Sequence, residues 1–202
     1  MFLPLSDRID NQKFFDGYQN IKNDYLNFIN KDYFFDYSHH YQITSTKDFS
    51  KVSLPKTAEH FWQVCPLIYN KKILPIFPED VQSSFTANLI MSFPVLPVLA
   101  VFSSLEPHSD IDPHIDGDDK IVTNENDSYQ INQTLMPSVV KYHFSLDIPT
   151  DGECALVVGD EKRLLNDRDL NPFDERTTHY AYNHSSSRRG VLIVSYIRKD
   201  LY

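Results

Sequence analysis

The feature that most constrains the fold is the run Pro113-His114-Ile115-Asp116, taken together with His179 much later in the chain. Side chains two residues apart on an extended segment point to the same side, so His114 and Asp116 can reach one metal ion. His179 on a neighbouring strand would complete the set. The sequence therefore predicts two strands, distant in the chain, that meet at one site.

Two histidines and one carboxylate on one face of an octahedron, with the other face open, form the ligand set of non-haem Fe(II) oxygenases. The triplet alone is weak, because His-x-Asp occurs by chance and the chain has 8 histidines. The surrounding sequence must therefore show whether these three residues form a metal site.

Two later segments have the pattern of β-strands. Residues 140–149 alternate, which puts Lys141 and His143 on one face, where a cation and an imidazole suit an acidic small molecule. Residues 190–197 are β-branched and aliphatic, and Arg189 stands at their start. A guanidinium held by a strand can bind a carboxylate with two parallel hydrogen bonds.

With these segments the chain resembles the aspartyl/asparaginyl β-hydroxylase family of 2-oxoglutarate-dependent oxygenases. The resemblance covers about half the chain, from about Pro97 to Lys199, and its parts come in the family's order. They are the strand 100–107 before the metal-binding Pro-His, the basic-x-His strand at 141–143, the turn 151–154, Phe173-Asp174 ahead of His179, and Arg189 after it.

The resemblance implies that His114, Asp116 and His179 ligate Fe(II). His184 is a second candidate for the distal histidine, but only His179 keeps the family's offsets from Phe-Asp and from Arg189. Some family members lack the carboxylate ligand. This chain keeps Asp116, which argues against a halogenase, because halide would need the vacant position.

The resemblance also implies how 2-oxoglutarate is bound. Arg189 would pair with its distal (C5) carboxylate, helped by Ser103. Lys141 and His143 would bind the co-substrate as well, although the family more often has arginine at the position of Lys141. Lysine offers a point charge instead of a fork, so this contact departs from the family pattern.

The fold that the resemblance implies is mainly β, a double-stranded β-helix (jelly-roll or cupin-like barrel) with helices packed outside one sheet. A chain of 202 residues fits one oxygenase domain, with residues 1–60 as a helical or irregular cover and 61–202 as the barrel core. Within the cover, the helical spacing of Phe14, Tyr18, Ile21, Tyr25 and Ile29 predicts an amphipathic helix from Asn11 to Asn30.

Three residues are candidate substrate contacts. Residues 117–138 form a long segment that leaves directly from Asp116, so we expect a lid that contributes Tyr129 and Asn132. Trp62 is the third candidate, although a lone tryptophan is more often a core residue. Pro172 cannot donate to a strand ladder, so its strand is expected at an edge or with a bulge.

Charge, hydropathy and cysteine content limit which partners and which cellular location we expect. A net charge of −9 argues against nucleic acid, which would need clustered Lys and Arg. No stretch qualifies as membrane-spanning, and the first residues lack the pattern of a signal peptide. Two cysteines are too few for a disulfide framework, so we expect a cytoplasmic protein.

The expected partners are dioxygen and a small-molecule substrate, led by a free amino acid or a small peptide-like metabolite. The Asp and Asn side chains of proteins are the second substrate class. A non-catalytic cupin-like protein that binds a metabolite or metal is the third reading, although binding alone would not need an open triad. The oligomeric state stays open.

Overall fold

A computed structural model describes residues 1–5, 11–37, 61–69, 71–75, 77–95, 97–116 and 139–197. The predicted lid at 117–138, with Tyr129 and Asn132, lies outside these residues. The division into a cover and a barrel within one domain stays a prediction.

Three helices lie in the described part: α1 (Gln12–Asn30), α2 (Glu79–Gln82) and α3 (Phe85–Met91). The predicted helix is α1, and its buried face consists of Phe14, Gly17, Ile21, Tyr25 and Phe28. Gly17 and Phe28 lie on that face, and the predicted Tyr18 and Ile29 are partly buried beside it. A stripe that repeats every 3.6 residues can include either of two adjacent positions. No helix among the described residues is long and apolar enough to cross a membrane.

The strands of the described residues form two antiparallel sheets. Their bounds are β1 (Phe35–Asp36), β2 (Trp62–Tyr69), β3 (Lys72–Ile73), β4 (Pro97–Leu105), β5 (Ser109–His114), β6 (Val139–Asp147), β7 (Glu153–Val158), β8 (Glu161–Leu164), β9 (Leu170–Asp174), β10 (His179–His184) and β11 (Arg189–Ile197). The larger sheet has the order β1-β2-β4-β11-β6-β9, with β3 on β2, and the smaller has the order β5-β10-β7-β8.

From β4 onward the chain alternates between the two sheets, with the hairpin β7-β8 staying in the smaller one. This alternation is the topology of a double-stranded β-helix, and the two sheets are not closed into a continuous barrel. The predicted fold class is confirmed. The strand with Pro172, β9, ends the order of the larger sheet as expected, apart from an isolated bridge between Phe2 and Phe173.

The helices pack on the outer face of the larger sheet. Ile21 and Tyr25 of α1 share one buried cluster with Phe102, Phe144 and Leu192 of that sheet. The close approach of α1 requires a glycine in β11, since a Cβ at position 190 would lie 2.3 Å from Cζ of Tyr25. Alternation along the strands then turns Arg189 and His143 toward the space between the sheets.

Candidate metal centre

Two neighbouring strand ends bring the metal-ligand candidates together. His179, at the start of β10, pairs in register with His114, at the end of β5. Asp116 lies just beyond β5, where its backbone N–H donates to the carbonyl of Glu175 at 3.2 Å. Antiparallel pairing therefore converts a long sequence separation into one site.

The ligand atoms of His114, Asp116 and His179 all lie within 4.8 Å of one another. Nε2 of His179 is 3.2 Å from Oδ2 of Asp116, and Nε2 of His114 is 3.9 Å from Oδ1. Neighbouring ligands of an octahedral ion lie about 3 Å apart, since metal–ligand bonds of about 2.1 Å meet near right angles. The separation of His179 from Asp116 fits ligation of one metal ion, and the longer separation of His114 requires its imidazole to move inward.

Hydrogen bonds fix both imidazoles in the tautomer that ligation needs. Nδ1 of His114 lies 2.7 Å from the carbonyl of Asp112, and Nδ1 of His179 lies 2.9 Å from the carbonyl of Thr177. A carbonyl only accepts, so Nδ1 carries the hydrogen in each ring. The Nε2 lone pairs are left to face the cluster, as in metal sites with backbone-oriented histidines.

Lys141 pairs with the candidate metal ligand Asp116. Its Nζ contacts Oδ2 of Asp116 and lies 4.0 Å from Oε2 of the buried Glu175. Burial alone would raise the pKa of Asp116, but the charge of Lys141 beside it and the hydrogen bond from Lys141 hold this pKa well below its usual range. Sequence reasoning missed Glu175, although it directly follows Phe173-Asp174. The co-substrate role expected of Lys141 stays a prediction.

His143 and Arg189 form a buried pair with spare donors. Nη2 of Arg189 donates to Nε2 of His143 at 3.1 Å, so the imidazole hydrogen is on Nδ1. Within the described residues, Nδ1 of His143 and Nε and Nη1 of Arg189 are buried without a hydrogen-bond partner. Burial lowers the pKa of Arg189 to about 10, and burial and nearby cations lower that of His143. Such orphaned donors fit an acidic ligand.

A cavity of about 420 Å³ opens over the cluster. Its wall includes the three ligand candidates together with Lys141 and His143. Arg189 and Ser103 are buried behind this wall and do not form part of it. With Trp62, the structure thus brings six of the predicted residues to the cavity, and it places the two predicted distal-carboxylate donors next to it.

The sequence profile of the family described as aspartyl/asparaginyl beta-hydroxylase matches residues 16–199. The chain belongs to this family. Membership supports an enzyme that hydroxylates its substrate, and the resemblance read from the sequence motifs is confirmed. No curated protein sequence matches the chain.

Several solved structures are similar to the chain at low identity. A predicted oxalate decarboxylase from Thermotoga maritima has 13% identity and a TM-score of 0.35, covering 50% of this chain and 68% of its own. A sugar phosphate isomerase of the cupin superfamily from Silicibacter pomeroyi has 11% identity and a TM-score of 0.37, covering 68% and 60%. A Cupin_2 domain of a transcriptional regulator from Enterobacter cloacae has 16% identity and a TM-score of 0.37, covering 69% and 100%.

Trp62 forms part of the cavity wall in this family member. Its ring is half-buried, stacks on Tyr37 with centroids 3.6 Å apart, and lies 6.5 Å from the ring of His114. Its Nε1–H donates to Oγ of Ser103 at 2.9 Å. The tryptophan also packs against the apolar core. It therefore combines the two alternatives that the sequence left open, a cavity residue and a core residue. Tyr37 was missed as a cavity residue because its segment has no periodicity.

The rejected ligand His184 lies on the exposed side of β10. Its Nε2 is 2.9 Å from Oδ1 of Asp110, and it is not part of the metal-ligand cluster. The spacing argument that preferred His179 therefore chose the histidine that shares a site with Asp116.

Proposed function

We propose that the protein is an Fe(II)- and 2-oxoglutarate-dependent dioxygenase that hydroxylates an unactivated C–H of a free amino acid or small peptide-like metabolite. The observation that carries the proposal is the cluster of His114, Asp116 and His179, with both Nε2 lone pairs turned toward one point in a cavity. Family membership supports the same reaction type.

In this proposal the three cluster residues hold the metal on one face and leave the cavity side open. Bound Fe(II) would use dioxygen to convert 2-oxoglutarate to succinate and CO₂, with one oxygen atom entering succinate and the other becoming the hydroxyl of the product. The Nδ1–H bonds of both imidazoles leave their Nε2 atoms facing the metal position, and the charge of Lys141 keeps Asp116 ionised. Metal occupancy should fall in acid, since protonated imidazole cannot ligate.

The buried donors give the co-substrate its binding partners. Arg189 would bind the distal carboxylate of 2-oxoglutarate through Nε and Nη1, which have no partner among the described residues. Ser103 would donate a further hydrogen bond. His143, whose Nδ1–H has no partner in the described part of the chain, and Lys141, which lines the cavity, would bind the keto-acid end. The carboxylates of 2-oxoglutarate would supply the acceptors that Nδ1 of His143 and Nε and Nη1 of Arg189 lack among the described residues.

The acceptor substrate would lie in the outer part of the cavity. Trp62 with Tyr37 forms an aromatic wall there, which would exclude water and limit which C–H group approaches the metal. Tyr129 and Asn132 remain predicted substrate contacts. A cytoplasmic location also remains part of the proposal; Cys65 and Cys154 are both buried free thiols.

The test is succinate release under air after anaerobic reconstitution with Fe(II), across a panel of free amino acids and short peptides. One acceptor should raise succinate release and gain one oxygen in mass. His179→Ala should abolish both signals, whereas His184→Ala, an exposed histidine on the same strand, should retain them. Bound metal or 2-oxoglutarate without succinate release from any acceptor would favour the non-catalytic reading.

A second candidate substrate class is the side chain of Asp or Asn within a protein, which the family's name favours. Asp- and Asn-containing peptides in the same panel distinguish it. Turnover of such a peptide with no turnover of free amino acids would replace the leading proposal.

A further inference from the structure

We propose that Trp62 is a positioning residue for the co-substrate. Its indole N–H orients the hydroxyl of Ser103, and that hydroxyl in turn donates to the distal carboxylate of 2-oxoglutarate. This inference rests on the proposed function. It gives Trp62 a second role, in addition to forming the aromatic wall beside the acceptor substrate.

The hydrogen bond between the two residues has only one possible direction. Nε1 of Trp62 lies 2.9 Å from Oγ of Ser103, which is 4% exposed. An indole N–H only donates, so Ser103 accepts this bond and its own hydrogen must point elsewhere. Without the indole, the Ser103 hydroxyl could switch among its staggered positions.

Strand register places this hydroxyl on the same face as Arg189. Ser103 of β4 pairs with Val191 of β11, and Arg189 pairs with Leu105, in a stretch without a register shift. Residues two apart on a strand share a face, so the Ser103 hydroxyl and the guanidinium project into the same interior. One carboxylate can therefore accept from Ser103 and from Nε and Nη1 of Arg189, which have no partner within the part of the chain that the structure describes.

The tryptophan ring is held in a fixed orientation. Tyr37 stacks on it with an interplanar angle of 9°, and β2 fixes its backbone through pairing of Trp62 with Leu105. A ring held at both its face and its edge can align a hydroxyl at low entropic cost. Trp62→Phe keeps an aromatic face for Tyr37 and removes the N–H donor, so it tests the proposed role.

The experiment measures the dissociation constant of 2-oxoglutarate by anaerobic calorimetry on the protein loaded with Mn(II). Loss of one hydrogen bond should weaken binding by roughly 2- to 10-fold in Trp62→Phe. Ser103→Ala should weaken binding at least as much, and the double variant should bind like Ser103→Ala, because Trp62 acts through Ser103. Tyr69→Phe, at the other end of β2, is the matched control and should bind like the wild type.

Three results would overturn the inference. Unchanged 2-oxoglutarate binding in a folded Trp62→Phe variant leaves Trp62 no positioning role. Additive losses in the double variant show that Trp62 acts independently of Ser103. Wild-type protein that binds no 2-oxoglutarate overturns the proposed function as well, and this outcome is distinct from the first two.

A second readout needs no substitution. Trp62 is the single tryptophan of the chain, so tryptophan emission reports on the surroundings of this indole alone. Titration of the Mn(II)-loaded wild type with 2-oxoglutarate should change this emission, and the dissociation constant from that change should equal the one from calorimetry. An emission that stays constant through saturation contradicts the link between Trp62 and the co-substrate.

Discussion

Replacing Arg189 by methionine should make the ligand-free protein more stable while removing its response to 2-oxoglutarate. Arg189 is 2% exposed, and two of its guanidinium nitrogens have no hydrogen-bond partner among the described residues. A buried charge without an acceptor costs stability, and an apolar side chain of similar length removes that cost. The buried charge of Arg189 therefore lowers the stability of the ligand-free protein, and a bound anion would supply the missing acceptor.

The magnitude follows from the pKa of Arg189. Burial lowers it from 12.5 to about 10, and at about 1.4 kcal/mol per pKa unit the buried charge costs about 3 kcal/mol. The loss of the Nη2 bond to His143 offsets about 1 kcal/mol of the gain. We expect the free energy of unfolding of Arg189→Met to rise by about 1–2 kcal/mol, which raises Tm by roughly 2–4 °C per kcal/mol for a domain of this size.

The assay is urea unfolding of the metal-loaded protein with and without 2-oxoglutarate. At a hundredfold excess over its Kd, the co-substrate should stabilise the wild type by about 2.7 kcal/mol and Arg189→Met hardly at all. The control is Arg188→Met, which removes the neighbouring half-buried arginine paired with Glu106; it should change stability by less than about 1 kcal/mol and keep the ligand response. A ligand-free Arg189→Met protein less stable than the wild type would show that Arg189 is a structural residue.

Three further outcomes follow. Asp116→Ala should weaken Fe(II) binding in equilibrium dialysis by more than about tenfold, and unchanged affinity would mean that two histidines alone hold the metal. Gly190→Ala should lower the free energy of unfolding by about 1–3 kcal/mol in urea, and by less when Tyr25 is also truncated, because the new Cβ would overlap the Tyr25 ring. The lowered pKa of His143 means that the unfolded chain binds more protons below about pH 6.5. The stability of the metal-free protein should therefore fall with decreasing pH there by up to about 1.4 kcal/mol per pH unit, and a pH series in which His143→Gln keeps the full slope would refute this.

The parts of the fold that the sequence predicted correctly are those with a strong period or a fixed order of motifs. The β-branched run at 190–197 could only be a buried strand, and β11 lies in the middle of the larger sheet. The order of Pro-His, basic-x-His, Phe-Asp and Arg placed His114 and His179 on strands that pair. Helical periodicity located α1, but two adjacent apolar residues, Phe28 and Ile29, left its buried face ambiguous by one position.

The parts that could not be predicted depend on contacts between distant segments. The strand of Trp62 is buried on both faces along most of its length, so no alternation shows which side of the sheet the indole takes. The pairing of Lys141 with Asp116 and the position of Glu175 arise only when β6 and the residue after β5 meet. Tyr37 comes from a stretch without periodicity, and only its stacking on Trp62 identifies it.

The most direct test of the metal centre is an anaerobic titration of the metal-free protein with Fe(II) in the presence of 2-oxoglutarate. Three ligands around one ion, with two open positions for the keto acid, predict a visible charge-transfer absorption that grows until iron equals protein. The absorption should be absent in His179→Ala and retained in His184→Ala. A wild-type protein without this absorption, or a His179→Ala variant that keeps it, would contradict the proposed metal centre.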